Sequence, residues 1–286
     1  MAVLAQSPPP SEFGPSLDIG IVLYPGFQPL DVIGPSDIML LLSASVNMTI
    51  SFIWKEAGPV WARSPDTQLP IQAPSFMATH SFADAPPLDI LLIPGGGGSR
   101  YLSAINDTAI EDFARERYPS LKYLLSVCTG SAFLAKAGLL DGRKATTNKA
   151  AWSFPTEFGN NVTWVPTARW VVDGNVWSSS GVSAGIDMTY AFLSTILGSQ
   201  LIGSVVNTLE YAPHVNKDWD PYSVVHKVSH ASQRFMTFCY KKKGCVAQPP
   251  ADSDRWLDSK KVPGADTSRS LGECVGPAGY EFSCSG

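Results

Sequence analysis

Histidine is scarce. Only His80, His214, His226 and His230 occur in 286 residues, and none stands directly after Cys128 or falls in the stretch "ATTNKAAW" beyond it. No Cys–His nucleophile pair is therefore visible. Basic residues are outnumbered: 21 Lys+Arg against 25 Asp+Glu leave a net charge of −4, which argues against a nucleic-acid-binding surface. No apolar run approaches the roughly 20 residues of a membrane-spanning helix. Five cysteines are present: Cys128, Cys239, Cys245, Cys274 and Cys284. The last four match no zinc template, so no metal is expected. They read as unpaired thiols, and disulfides stay open in an oxidising compartment. No internal repeat is evident. Residues 1–16, "MAVLAQSPPPSEFGPS", have neither the basic flank nor the apolar length of a secretory signal. They read as a disordered Pro/Ser leader, which places the protein in the cytosol, where thiols stay reduced.

What is present is an alternation of apolar runs and helical patterns. "LDIGIVLY" (17–24), "MTISFIWKEAG" (48–58), "LDILLIPGGGG" (88–98) and "KYLLSV" (122–127) read as strands, the apolar ones buried on both faces. Residues 29–45 carry a helical pattern with Val32, Ile33, Ile38, Met39 and Leu42 on one face, limited by Pro29 and Pro35. Residues 61–76 read as an extended, hairpin-like excursion. A helix is expected over 106–119, capped by Asn106 or Asp107 and stopped by Pro119. Another follows Cys128 and closes at Gly142. "KATTN" reads as a short strand and "AAWSFPTEFG" as a short helical piece. "VVDGNVW" predicts a β-hairpin, and 183–198 and 199–213 predict two further helices. Strands alternating with helices imply an α/β fold with a mostly parallel sheet covered on both faces. The domain is expected over 17–240, with a low-order tail over 241–286.

In such a sheet, sites form beyond the carboxyl ends of the strands. Cys128 stands on a tight strand-to-helix turn, where a following helix N-terminus favours a thiolate. The competing reading is a small buried hydrophobe. The glycines at 95–98 can bring backbone N–H groups close to a developing anion, although a plain turn accounts for them as well. They do not form a phosphate loop, because the Gly-Lys-Ser/Thr ending is absent. Asp31, set among Leu30, Val32 and Ile33, is costly to bury alone and can serve the thiol; a helix-capping role is equally consistent with its spacing. The turn "SSSGVSAGIDM" (178–188) enters a helix at Gly181 and Val182 and can line the same pocket. Asp187 is expected near that helix's start, stabilised by its dipole.

Taken together, "IGIVLYPGFQPLDVIGP", "LLIPGGGG", "SVCTGSAFLAKAGLLDGRKATTN" and "SSGVSAGIDM" resemble the DJ-1/PfpI superfamily of class I glutamine amidotransferase-like folds, and most of all its isonitrile hydratase branch. The resemblance covers roughly residues 18–212. It implies a flavodoxin-like three-layer sandwich, a homodimer, a small-molecule substrate and no cofactor. It maps the family's nucleophile onto Cys128 and its acidic partner onto Asp31. Gly95, Gly96, Thr129, Gly181 and Val182 fall where they can bind substrate or an oxyanion. Thr129 stands where peptidase-like relatives carry histidine, and Asn148 follows Thr146 and Thr147 where many relatives read Thr-Thr-His. Both departures argue against glutaminase and protease chemistry. The tail lacks the apolar periodicity of the helix-turn-helix pair of the transcription-factor relatives. The activity implied is cysteine-dependent hydration of an isonitrile through a thioimidate on Cys128. The alternatives are a glyoxalase or deglycase acting on small reactive carbonyls, and a non-enzymatic redox-sensing protein.

Overall fold

A computed structural model describes residues 15–68 and 72–228, together with three short strands within 245–284. The chain divides between Asp220 and Pro221 into two compact units. The expectations for the leader, for the thiols of Cys239, Cys245, Cys274 and Cys284, and for most of 241–286 lie outside the described residues.

The first unit opens with β1 (Leu17–Val22), in which Leu17, Ile19, Ile21 and Val22 are fully buried. A tight turn leads to α1 (Pro29–Leu42), with Pro29 in its first turn, where its missing N–H is no loss. Val32, Ile38, Met39 and Leu42 are buried as expected, whereas Ile33 is 40% exposed. Ile33 therefore leaves the predicted face. Strand β2 (Met48–Trp54) pairs in parallel with β1. The excursion that follows is a hairpin of β3 (Gly58–Trp61) and β4 (Ser75–Ala78). Then come β5 (His80–Ser81) and β6 (Ile90–Ile93), the latter wholly buried.

Two helices follow β6. The first, α2 (Gly98–Ala104), has no counterpart in the sequence reading; the second is α3 (Ala109–Arg117). The N-cap position of α3 is Thr108, neither Asn106 nor Asp107, although Asp107 Oδ1 accepts the Ala109 N–H at 3.2 Å. Strand β7 (Tyr123–Ser126) leads through the turn at Cys128 into α4 (Ser131–Lys136). Gly138, with φ of 75°, follows α4 directly, so the helix closes four residues before Gly142. The remainder is β8 (Lys144–Ala145), α5 (Ser153–Thr156), β9 (Thr163–Trp164), the hairpin β10 (Trp170–Asp173) and β11 (Val176–Ser179), α6 (Val182–Leu197) and α7 (Ser199–Thr208).

The central sheet has seven strands in the order β10-β11-β7-β6-β1-β2-β5, all parallel except the β10–β11 pair. The chain moves from β1 to β2 toward one edge and from β6 to β7 toward the other. Right-handed crossovers therefore place α1 and α3 on opposite faces. Their directions diverge between β1 and β6, and a crevice opens beyond the carboxyl ends at that switch point.

The second unit holds α8 (Tyr222–Val225) and a small antiparallel sheet of β12 (Cys245–Ala247), β13 (Cys274–Val275) and β14 (Glu281–Cys284), with β14 in the middle. Among the described residues, no helix is long and apolar enough to cross a membrane.

Candidate active site

The site gathers where β1, β6 and β7 end. Cys128 has φ of 59°, a left-handed conformation that costs a non-glycine residue about 1–3 kcal/mol. Three contacts impose it. The Cys128 N–H donates to the Ser180 carbonyl at 2.9 Å, and the Cys128 carbonyl accepts from the Thr147 hydroxyl at 2.9 Å and the Ser131 hydroxyl at 3.2 Å. The small residue Gly130 is required, because a Cβ there would lie 2.2 Å from the Ile93 carbonyl oxygen. The side chain is 7% exposed.

Asp31, in the first turn of α1, is fully buried beside it. Its Oδ2 accepts the Gly95 N–H at 2.9 Å, while Oδ1 is buried with no N–H or O–H donor on it. The Cys128 thiol is near enough to this carboxyl group to favour its ionised form. Burial raises the Asp31 carboxyl to about 7, against the pull of the Gly95 N–H and the thiol. Burial also pushes the Cys128 thiol up to about 12, and the Asp31 charge adds to the effect; bonds from Thr129 and Asn148 oppose it. Tyr24 contributes a third buried acid, held high by burial and by both neighbours, with its hydroxyl on the Pro94 carbonyl at 3.1 Å. A standing thiolate made by helix dipoles is therefore not what this geometry holds. The negative charge rests first on Asp31, and the proton stays on sulfur.

The glycine loop serves differently from its sequence reading. The Gly95 N–H is taken by Asp31, and the Gly96 N–H by Thr129 Oγ1 at 3.0 Å. In the structure these two donors hold the site's own side chains. The glycines themselves are needed for close approach: a Cβ on Gly95 would lie 2.5 Å from the Thr129 nitrogen and 2.7 Å from Cys128 Cβ. Thr129 Oγ1 also receives the Ser99 hydroxyl at 3.2 Å, so the start of α2 is tied to the cysteine turn. Gly181 faces the Asn148 side chain. Val182 opens α6 beside it, and no described contact brings it to the thiol.

Further out, Asp187 is not a dipole-stabilised cap. It is a buried carboxylate paired with Arg169 at 2.5 Å, and it accepts the His214 backbone N–H and the Tyr211 hydroxyl. Lys149, 2% exposed, donates to Thr146 Oγ1 at 2.7 Å, to the Ala168 carbonyl at 2.8 Å and to the Thr147 carbonyl at 3.2 Å, with Asp220 at 3.8 Å. Its ammonium lies 5.1 Å from the centre of the Trp152 ring. Sequence reasoning missed Lys149 and noted Asn148 only as a departure from histidine. A lysine between "TTN" and "AAW" looks like any solvated charge until the strands close around it. Among the described residues, no cluster of His, Cys, Asp and Glu is arranged to hold a metal.

The family model for the DJ-1/PfpI family matches residues 19–195, well over half the chain. The chain belongs to the DJ-1/PfpI family. Isonitrile hydratase of Pseudomonas putida is 35% identical over 199 residues, covering 69% of this chain and 80% of the relative. A deglycase of Pyrococcus horikoshii is 37% identical over a shorter 98 residues, or 34% of this chain and 55% of the relative. Among solved structures, a ThiJ/PfpI family protein from Pseudomonas syringae superimposes with a TM-score of 0.59 at 27% identity, covering 79% of this chain and 87% of the other. The DJ-1/PfpI match takes in Asp31, the glycine loop, Cys128, Asn148 and Gly181. It ends inside α6, before Tyr211, His214 and Asp220.

Proposed function

We propose that this DJ-1/PfpI enzyme hydrates an isonitrile, R–NC plus water, to the N-substituted formamide, using Cys128 as nucleophile and Asp31 as proton carrier. The observation that carries the reading is the buried Asp31–Cys128 pair, in which one acid is poised near neutrality and the other keeps its proton. Similarity to an isonitrile hydratase supplies the substrate class.

The chemistry balances with these two groups. Ionised Asp31 takes the thiol proton as sulfur adds to the terminal isonitrile carbon. Asp31 then delivers that proton to the same carbon, giving the thioimidate R–N=CH–S–Cys128. Asp31, ionised again, takes a proton from water as the water oxygen adds to the carbon and passes that proton to nitrogen, giving R–NH–CH(OH)–S–Cys128; the hydroxyl proton then travels through Asp31 to the departing sulfur. Collapse breaks the C–S bond, releases R–NH–CHO and returns the thiol. An acid near 7 suits both directions of transfer at neutral pH. The decisive experiment is C128A assayed with a purified isonitrile by formamide release. Turnover is expected to vanish with the fold intact; sustained turnover would end the proposal.

A second reading keeps the thiol and changes the electrophile to a small dicarbonyl, by analogy with the deglycase relative. Its test is the same variant with methylglyoxal. The redox-sensing reading is disfavoured, because a thiol held up to about 12 is a poor target for peroxide. We further propose a homodimer, consistent with the exposed apolar residues Leu30 (44%) and Ile33 (40%) along α1.

A further inference from the structure

We propose that Asn148 is a catalytic residue: its side-chain N–H donates to Cys128 Sγ and holds the negative charge on sulfur whenever the proton has left. The inference rests on Cys128 being the nucleophile and is independent of which electrophile it attacks.

The amide is oriented from its carbonyl end. Oδ1 accepts the Ala151 N–H at 2.9 Å, so the carbonyl end is committed to the backbone and the NH₂ end is left to donate. That NH₂ end lies against Gly181, where a Cβ would stand 2.9 Å from Nδ2. Gly181 directly follows Ser180, whose carbonyl receives the Cys128 N–H at 2.9 Å. The amide and the cysteine are therefore packed against the same β11–α6 junction, with Thr147, the residue before Asn148, bonded to the Cys128 carbonyl; the influence of Asn148 on the thiol is to lower its pKa.

The residues around Asn148 are anchored independently of the sulfur. Thr147 Oγ1 donates to the Cys128 carbonyl at 2.9 Å, and buried Lys149 grips Thr146 and the Thr147 carbonyl. The donor is thus in place before charge appears, which is what makes electrostatic stabilisation effective.

An asparagine also suits the division of labour. It cannot exchange a proton, so it stabilises a thiolate without competing with Asp31 for the base's role. The titratable groups acting on Cys128 are Asp31 and Tyr24, both from the first βα unit and both unfavourable to a second negative charge. The Lys149 ammonium is turned to Thr146, Ala168 and Asp220. Among the described residues, Thr129 on the elbow itself and Asn148 are the side chains whose influence lowers the thiol's pKa. In the hydration cycle that sulfur carries charge twice, on attack and on expulsion.

The test needs no isonitrile. Wild type, N148A and N148D are alkylated with iodoacetamide across a pH series, and Cys128 modification is followed by intact mass. N148D keeps an oxygen for the Ala151 N–H and removes the donor, while N148A truncates a side chain that is only half-buried. Alkylation is expected to slow by about tenfold or more at each pH below the midpoint, with N148D the slower, as befits losing a hydrogen bond to a charged atom. Circular dichroism and melting temperature report any merely structural effect, which would leave the pH midpoint in place. If N148D does not fold, N148A decides. Wild-type rates and midpoint in a folded variant would overturn the assignment. Absence of isonitrile turnover in wild type would remove the substrate reading and leave this result standing.

Discussion

Asp31 is a carboxyl group kept where ionising costs most, and two outcomes follow at the scale of this one residue. The ionised form is the base that accepts the thiol proton, so kcat is expected to rise as pH passes through about 7 and to level off above it. D31N should lower kcat by about a hundredfold or more, measured by formamide release under saturating substrate. Stability moves the other way. The folded state holds the Asp31 proton up to about 7, whereas the unfolded chain releases it near 3.8. Between those values the folded state binds more protons, so this group's contribution falls as pH rises and its cost is complete above 7. D31N should therefore melt higher than wild type at about pH 8, with the gap narrowing toward pH 4. Equal melting temperatures at both pH values would show that Asp31 is not strained in the fold. The sequence left Asp31 evenly placed between cap and catalyst, because spacing reports neither depth of burial nor the neighbour across the sheet. Cys128 was easier to read, since a thiol at the end of an apolar strand and before a helix is a local pattern. Asn148 was noticed only as a departure from histidine, because its bond to sulfur depends on β11 arriving beside it.

Between elements, glycines and one lysine set the tolerances. Gly95 is the point where the β6 loop touches the cysteine elbow. G95A should cost about 2 kcal/mol or more in urea unfolding, since the added carbon meets the Thr129 backbone nitrogen and the Cys128 Cβ, neither of which can swing away. Activity should fall with it, because the Gly95 N–H that orients Asp31 must move. K149M should cost about 3–5 kcal/mol, the usual loss when one member of a buried ion pair is removed, and urea unfolding would measure it. Most elements were visible as patterns: the apolar strands, the Asp-Gly hairpin of β10 and β11, and α6 with its terminal Gly198. Helix α2 was not, because four glycines argue locally against a helix. Gly98 opens it because a side chain there would stand 1.9 Å from the Pro25 carbonyl oxygen, a tertiary demand that propensity does not carry. Ile33 likewise obeys helical spacing in sequence and leaves the buried face in space.

For the whole molecule, the proposed homodimer gives a direct outcome: sedimentation velocity should report twice the 30.7 kDa chain, and I33E should shift it toward the single-chain mass. A wild-type monomer would remove the dimer from the proposal. The alternation of strands and helices already implied a parallel sheet with helices on both faces. The position of the switch point between β1 and β6 was not implied, since it follows from strand order and not from any local signal. That position carries a kinetic consequence. Asp31, Gly95, Cys128, Asn148 and Gly181 are scattered over more than half of the chain and meet only when non-local parallel strands have closed, a slow class of event. Until then the chain carries an ordinary cysteine with a pKa near 9.0, open to any alkylating agent. During refolding, the nascent thiol should be readily trapped and become guarded only in the final phase, after helical signal has already returned.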